Sequence, residues 1–208
     1  MDRVENATMV DIDGNYDFFS KLNLIDLARF RELRKTRHVL VVDTETADGM
    51  KKRTLAQIGY IVLDPEGNLV TKVNEFVSGA KQILWEGSQI TMDQIRGGWP
   101  PELIRDRFIR DLNKYTPVVV AHNAQFDIGV IRKIGVDFCK TPIFCTCHDK
   151  EIRATCKIPL KNSTRYFKSP KQEELAKYCG INYTDLILHT AYDDVCLLWR
   201  ILQDPLFF

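Results

Sequence analysis

The sequence lacks a long hydrophobic run. Although 45% of its 208 residues are hydrophobic, no apolar segment approaches the ~20 residues that a membrane-spanning helix requires. The first residues, MDRVENATMVDIDGN, are polar and acidic, without the apolar core of a secretion signal. We therefore expect no membrane association and a cytoplasmic location, or a nuclear one in a eukaryote.

The sequence also lacks an excess of charge of either sign. Lys and Arg number 29 and Asp and Glu number 28, which gives a formal net charge of +1. This balance excludes a protein that binds nucleic acid through overall basicity, as histone-like proteins do. Any contact with nucleic acid must therefore use a local patch.

A disulfide pattern is missing as well. The six cysteines do not have the spacing of a small disulfide-stabilised domain, and without a secretion signal we expect reduced thiols. Cys145, Cys147 and His148 could form half of a zinc site, but no second pair of ligands follows at a suitable interval. The spacing therefore argues against a structural zinc ion.

The length of 208 residues suits one ample domain. Residues 1–38 are predicted to form a partly helical N-terminal extension, because apolar residues share one helical face over residues 17–35. That helix either packs on the domain with a solvated basic face or contacts a partner or nucleic acid. Residues 39–208 are predicted to form the main domain.

The main domain mixes strand-like and helix-like segments. VLVV at 39–42 and VVVAH at 118–122 are continuous apolar runs, typical of strands buried on both faces. Residues 55–64 and 68–77 are predicted to pair as a hairpin, and residues 142–144 to form a short strand. Helices are predicted at 102–115, 127–134, 169–179 and 191–202. This order predicts an α/β fold with a mixed sheet.

The segment 150–171 is locally basic, with seven Lys or Arg residues against Glu151. Two interpretations are equally supported by its composition. It is predicted to be a loop, either beside a phosphate-binding groove or simply solvated.

Two carboxylates follow the first buried strand. Asp43 and Glu45 are two residues apart, so both side chains point to the same side of a strand. Bringing two like charges together at the end of a buried strand is costly unless a cation lies between them. Oxygen ligands of this kind favour Mg²⁺ or Mn²⁺, although acids at strand ends also serve as turn or helix caps.

Two further acidic motifs come later in the chain. HNAQFD (122–127) directly follows the second buried strand, where Asp127 either caps the next helix or carries chemistry. In HTAYDD (189–194), His189 precedes Asp194 by five residues. This interval places His189 just before the last helix and Asp194 in its second turn. The apolar neighbours of Asp194 favour a buried carboxylate.

In this order and at this spacing, VLVVDTET, HNAQFD and HTAYDD resemble the motifs of the DEDDh (DnaQ-like) 3′–5′ exonucleases. That family includes the epsilon proofreading subunit of the bacterial replicative polymerase, ribonuclease T and oligoribonuclease. The resemblance covers about residues 39–203 and implies an RNase H-like mixed sheet flanked by helices. The chain departs from the family pattern at Gln57, where an acid is common.

The resemblance also implies two divalent metal ions, Mg²⁺ or Mn²⁺, held by Asp43, Glu45, Asp127 and Asp194. Two such ions stabilise the attacking and leaving oxygens of phosphodiester hydrolysis. His189 is then the general base, because an imidazole suits proton transfer near neutral pH. The interval from His189 to Asp194 matches the histidine type of the family and not its tyrosine type.

Residues beside the acids are predicted to bind the substrate. They are Thr44, Thr46, Ala47, Asn123 and Phe126. Phe126, Thr46 and Ala47 would stack on or wedge against a terminal nucleotide, although a core position for the Phe126 ring is at least as well supported. The resemblance implies that the backbone at 44–46 binds a terminal 3′-OH.

The predicted function is a 3′–5′ exonuclease that acts on single-stranded DNA or unpaired 3′ ends, in proofreading, end-trimming or DNA repair, and releases nucleoside 5′-monophosphates. The alternative is a 3′–5′ exoribonuclease of RNA maturation or oligoribonucleotide degradation, since few groove atoms distinguish the two sugars. A non-catalytic binding domain is disfavoured because all five motif residues are present. A polymerase or other protein partner that docks on residues 1–38 is compatible with either activity.

Overall fold

The computed structural model describes residues 22–84, 86–160 and 163–208. Residues 1–21 of the predicted extension lie outside the described residues. The strands are β1 (Leu24–Ile25), β2 (Val39–Ala47), β3 (Thr54–Leu63), β4 (Leu69–Phe76), β5 (Val118–Ala121), β6 (Ile143–Cys145), β7 (Pro159–Leu160) and β8 (Ser163–Phe167). The helices are α1 (Leu27–Leu33), α2 (Gly49–Lys52), α3 (Met92–Arg96), α4 (Pro101–Tyr115), α5 (Ala124–Lys133), α6 (Lys150–Cys156), α7 (Gln172–Tyr178) and α8 (Ala191–Ile201), followed by a 3₁₀ turn at Pro205–Phe207.

Six strands form one mixed sheet in the order β1-β6-β5-β2-β3-β4. β2 lies at its centre, antiparallel to β3 and parallel to β5. The predicted hairpin is confirmed, because β3 and β4 pair antiparallel. β5 and β1 both pair parallel with β6. The predicted mixed α/β sheet is therefore confirmed.

The central strand β2 is buried on both faces, as its apolar run predicts. Leu40 and Val42 belong to one core cluster, which also holds buried side chains of α4 and α5. Val39 and Val41 belong to a second cluster, built with α1, α7 and α8. Because side chains alternate along a strand, the run VLVV supplies both layers of helices with apolar contacts.

The longest described helix, α4, spans 15 residues and begins with Pro101 at its first turn, a position that proline favours. Its apolar face buries Ile104, Phe108 and Leu112 against the sheet. The predicted helices at 102–115 and 191–202 are thereby confirmed to within a residue. No helix in the described part of the chain is long and apolar enough to cross a membrane.

In its described part, the predicted helix over residues 17–35 is confirmed only for Leu27–Leu33 and is wrong for the residues before it. Leu24 and Ile25 form an edge strand that pairs with β6. The helix starts only at Leu27, because the Asp26 side chain caps it by accepting a hydrogen bond from the Arg29 N–H at 2.8 Å. Pairing with β6 overrides the helical pattern, since the sheet satisfies the backbone groups of this segment.

The apolar face of α1 is used inside the domain. Leu27 and Phe30 are fully buried, and the Phe30 ring stacks on Phe144 of β6 with centroids 4.5 Å apart. Two basic residues of this segment reach the C-terminal end: Arg31 donates to the Leu206 carbonyl and Arg34 to the Leu202 and Phe207 carbonyls. The division at residue 38 and the docking role of residues 1–38 stay predictions.

The basic segment 150–171 is not the loop that its composition predicts. It forms α6 and the β7–β8 hairpin. The Asp149 side chain caps α6 by accepting hydrogen bonds from the N–H groups of Glu151 and Ile152. Ile152 is fully buried, which anchors the helix, while the charged residues around it face outward.

Candidate active site

Three motifs that are distant in sequence meet at one edge of the sheet. β2 continues through the two acids to Ala47. Because β2 and β5 are parallel, these acids and the HNAQFD motif that follows β5 lie side by side. The HTAYDD motif starts α8, which packs on β2 and β3. Together they line a cleft of about 680 Å³, formed by Asp43, Thr44, Glu45, Thr46, Ala47, Gly49, Arg53, Leu84, His122, Asn123, Phe126, Asp127, His189 and Asp194. All ten catalytic, metal-binding and substrate-binding residues predicted from the sequence are among them.

Three carboxylates form the tightest group in this cleft. Asp43, Glu45 and Asp194 each present an oxygen, and these atoms lie within 4.8 Å of one another. Asp43 and Glu45 share a side of β2 as predicted, and the pairing register with β3 shifts just after Glu45. Asp194 completes the group; it lies in the first turn of α8 and not in the second turn as predicted, because the helix begins at Ala191.

The electrostatics of this group are those of crowded, poorly solvated acids. Burial raises the pKa of Glu45 to about 8, and Asp194 and Asp127 add to the shift. Burial likewise raises the pKa of Asp194 to about 6. The pKa of Asp43 is raised well above its usual range by burial and then by repulsion from its three acidic neighbours. Such a set of oxygen donors fits a hard divalent cation such as Mg²⁺ or Mn²⁺.

Asp127 lies in the cleft but outside this group of three. Its helix α5 begins three residues earlier than predicted, since Asn123 adopts a left-handed φ of 66° and turns the chain directly from β5 into the helix. Asp127 is therefore inside the helix and does not cap it. Its Oδ1 accepts hydrogen bonds from the N–H and the hydroxyl of Thr44, at 3.0 and 2.8 Å.

These two hydrogen bonds also decide what Thr44 can do. Both of its donors are directed to Asp127, and the side chain is only 4% exposed. Thr44 thus orients Asp127, and neither donor is available to a terminal 3′-OH. Burial raises the pKa of Asp127, while the hydrogen bonds from Thr44 oppose that shift.

His189 precedes α8, as its interval to Asp194 predicts. It adopts a left-handed φ of 68°, and its backbone N–H donates to Asp194 Oδ2 at 3.0 Å. Thr190 caps α8 by accepting from the Asp193 N–H. The Asp193 carboxylate accepts from the Ile187 N–H and is not among the residues that line the cleft.

Gln57 has a structural role that the sequence did not reveal. The residue is 2% exposed; its Oε1 accepts from the Ala191 N–H at 3.1 Å and its Nε2 donates to Asn74 Oδ1 at 2.9 Å. Two residues along β3, a Cβ placed on Gly59 would lie 2.6 Å from the Ala191 backbone. β3 and the first residue of α8 are therefore in close contact. An amide inside an otherwise apolar strand was the available signal.

The sequence analysis did not predict four other residues of the cleft, which are Gly49, Arg53, Leu84 and His122. Arg53 lies over the Phe126 ring, with its guanidinium carbon 4.9 Å from the centroid. Phe126 packs on the core and also lines the cleft, while its stacking on a terminal nucleotide stays a prediction. The His122 ring pairs with the Thr146 hydroxyl at 2.9 Å, and burial lowers its pKa to about 4, so it is neutral near pH 7.

The residues of the rejected zinc pattern have other contacts. The Cys145 thiol accepts from the Ala124 N–H at the start of α5. His148 Nε2 pairs with Asn123 Oδ1 at 3.1 Å, and its Nδ1 approaches the Ser169 hydroxyl at 3.4 Å. His148 therefore connects the cleft residue Asn123 to the segment that follows β8.

A mixed six-stranded sheet with helices on both faces, and a carboxylate-lined cleft beyond the ends of its parallel strands, defines an RNase H-like α/β protein. Solved structures of one enzyme share this fold. Escherichia coli exonuclease I in complex with a dA16 oligonucleotide is 20% identical, with a TM-score of 0.61 over 82% of this chain and 42% of that chain. The zinc-bound form of the E. coli exonuclease I–ssDNA complex is 18% identical, with a TM-score of 0.62 over 82% and 42%.

A third structure, the ExoI/SSB-Ct complex, is 18% identical, with a TM-score of 0.59 over 83% of this chain and 43% of that chain. The present chain thus spans about two fifths of the length of these exonuclease I chains. No protein-family model matches the sequence, and no curated protein matches it. The likeness confirms the RNase H-like fold that the motifs predicted.

Proposed function

We propose that the chain is a metal-dependent 3′–5′ exonuclease that hydrolyses single-stranded DNA and releases nucleoside 5′-monophosphates. The observation that carries this proposal is the cluster of Asp43, Glu45 and Asp194, whose oxygens lie within 4.8 Å of one another. His189 and Asp127 line the same cleft. These five residues are the set that the sequence motifs implied for a DEDDh exonuclease.

The four acids would hold the metal. Asp43, Glu45 and Asp194 would be direct ligands, and Asp127 would act on a second ion directly or through water, since Thr44 already occupies its Oδ1. Mg²⁺ or Mn²⁺ would supply charge neutralisation and an acidified water at neutral pH. His189 would accept the proton of the attacking water, because it lines the cleft beside Asp194.

The rest of the cleft would hold the 3′-terminal nucleotide. Thr46, Ala47, Asn123 and Phe126 line the same cleft as the acids. An aromatic ring beside an acidic site suits the stacking of an unpaired base. Single-stranded DNA is favoured as the substrate by the likeness to exonuclease I, whose solved structures hold a dA16 oligonucleotide and ssDNA.

A ladder assay tests this function directly. The purified protein is incubated with 5′-labelled single-stranded DNA, single-stranded RNA and a duplex with a mismatched 3′ end, in Mg²⁺ and in EDTA. We expect a one-nucleotide ladder on single-stranded DNA that EDTA abolishes. A ladder only on RNA would replace the substrate with the alternative one, and fragments from the interior of the strand would indicate an endonuclease.

Two adjacent acids provide a matched pair of variants. Asp194→Asn removes a carboxylate of the cluster and is expected to abolish turnover while the protein stays folded. Asp193→Asn keeps an oxygen that can accept from the Ile187 N–H, so its activity is expected to match the wild type. Full activity in Asp194→Asn would contradict the proposed site.

A further inference from the structure

Arg53 holds an unusual position at the rim of the cleft. It follows α2 in the short connection between β2 and β3, with a left-handed φ of 46° that its backbone N–H fixes by donating to the Gly49 carbonyl at 2.9 Å. The side chain lies over the Phe126 ring, 4.9 Å from the centroid, and lines the cleft with the acids. A cation held against an aromatic face in this way is stabilised and restricted in orientation.

The Arg53 guanidinium keeps a hydrogen-bond donor that no group in the described part of the chain accepts. This donor is its Nε, which is buried. Arg53 also takes part in none of the ion pairs found within 22–84, 86–160 and 163–208, whereas the neighbouring Lys52 pairs with Asp48 at 2.9 Å. A buried donor without a hydrogen-bond partner destabilises the folded protein. Its position in a cleft therefore points to a ligand that would accept this hydrogen bond.

The charges of the cleft indicate the chemistry of that ligand. Its lining residues include four carboxylates and one permanently charged cation, Arg53. Two divalent ions would balance the four carboxylates, which leaves Arg53 as the positive charge for an incoming anion. A phosphodiester is a singly charged anion with paired oxygens, and the planar fork of a guanidinium matches it better than any other side chain does.

We propose that Arg53 binds a backbone phosphate of the substrate strand close to its 3′ end, with Phe126 holding the guanidinium in place. This inference rests on the proposed function and specifies one contact by which the cleft would bind its substrate. Arg53 is then a binding residue for phosphate, and its contribution is independent of the base. If Arg53 only packed on Phe126, its substitution would change neither the salt dependence of DNA binding nor the effect of neutralising one phosphate.

The first test measures affinity and its salt dependence. Binding of a 5′-fluorescein oligothymidylate of about ten nucleotides is followed by anisotropy in Ca²⁺, with a gel to verify that the strand stays intact. Arg53→Gln is expected to weaken binding about tenfold and to reduce the slope of log affinity against log salt by about 0.7. Arg53→Lys is expected to keep most of that slope. Lys51→Gln is the matched control, because Lys51 is an exposed residue of the same connection and the change of charge is the same. This variant is expected to bind like the wild type.

The second test locates the phosphate. Oligonucleotides carry a neutral methylphosphonate at one of the last three linkages. For the wild type, one of these substitutions is expected to weaken binding, and Arg53→Gln is expected to be insensitive to that same substitution. If the loss caused by Arg53→Gln is equal on every oligonucleotide, or if Arg53→Gln binds like Lys51→Gln, the inference is overturned.

The two proposals fail in distinguishable ways. If the wild type cleaves and binds single strands but Arg53→Gln behaves like the control, only the phosphate contact is wrong. If the wild type neither cleaves nor binds oligonucleotides, the proposed function fails and the phosphate contact fails with it. Thermal unfolding of each variant, compared with Arg53→Lys, separates lost binding from lost folding.

Discussion

Thr44 and Asp127 are 83 residues apart in the sequence and are joined by two hydrogen bonds to one oxygen. The contact ties the middle of β2 to α5 and fixes the orientation of a carboxylate that is 2% exposed. Because the hydroxyl and N–H of Thr44 also favour the charged form of Asp127, the pair acts on both the geometry and the charge of the cleft.

The first prediction concerns this pair. Thr44→Val keeps the shape of the side chain but removes the hydroxyl donor, so the pKa of Asp127 is expected to rise further and its orientation to loosen. Loss of such a supporting contact typically lowers metal affinity or activity by about 10- to 100-fold. The measurement is the Mg²⁺ dependence of turnover. Thr44→Ser keeps the donor and should retain activity; equal losses in both variants would argue for a packing effect.

The second prediction concerns the stability of the metal-free protein. Glu45 has a pKa of about 8 in the folded chain against an ordinary value of 4.5, so the folded state binds more protons than the unfolded state between these values. The free energy of unfolding is therefore expected to fall as the pH rises from about 4.5 to about 8. Urea unfolding in EDTA across this range measures it.

Two comparisons make that result specific to the cleft. Glu45→Gln removes the titrating group and is expected to flatten the dependence on pH. Added Mg²⁺ is expected to raise the unfolding temperature most at the upper end of the range, where the carboxylates are charged. A metal-free protein that grows steadily more stable toward pH 8 would contradict the electrostatics described above.

The third prediction concerns proton transfer by His189. His189→Ala is expected to lower turnover by about 100-fold or more, because His189 is the proposed acceptor of the proton from the attacking water. The loss is expected to shrink at higher pH, where hydroxide replaces the base. Initial rates of single-strand cleavage across a pH series measure this, and a variant whose relative loss does not change with pH would remove His189 from that role.

The fourth prediction tests whether α1 is part of the domain. Phe30→Ala removes a fully buried ring that stacks on Phe144, and the expected loss of unfolding free energy is about 3–5 kcal/mol. Arg29→Ala, on the exposed face of the same helix, is the control and is expected to change stability by less than about 0.5 kcal/mol. A stable Phe30→Ala variant would mean that α1 is dispensable for the fold.

The sequence was informative where a local pattern and a structural element coincide. The run VLVV predicted a strand buried on both faces because its four residues are all apolar, and the interval from His189 to Asp194 predicted the start of α8. Asp43 and Glu45 converge because strand geometry alone places them on one side. Each of these predictions needs only neighbouring residues.

The sequence was uninformative where long-range contacts decide the structure. β1 exists only because Leu24 and Ile25 pair with Ile143 and Phe144, more than a hundred residues away. The same limit applies to Gln57, whose partner is the backbone of Ala191. Neither partner leaves a periodic signal in the chain, so no local pattern could have located these contacts.

The close approach at Gly59 has a consequence for how this site tolerates change. A methyl group there must push α8 away from β3, because the Ala191 backbone lies within 2.6 Å of the added carbon. Asp194 would move with the helix and leave Asp43 and Glu45 behind. Gly59→Ala is therefore expected both to strain the packing of α8 on β3 and to separate the three carboxylates that the proposed metal site needs together.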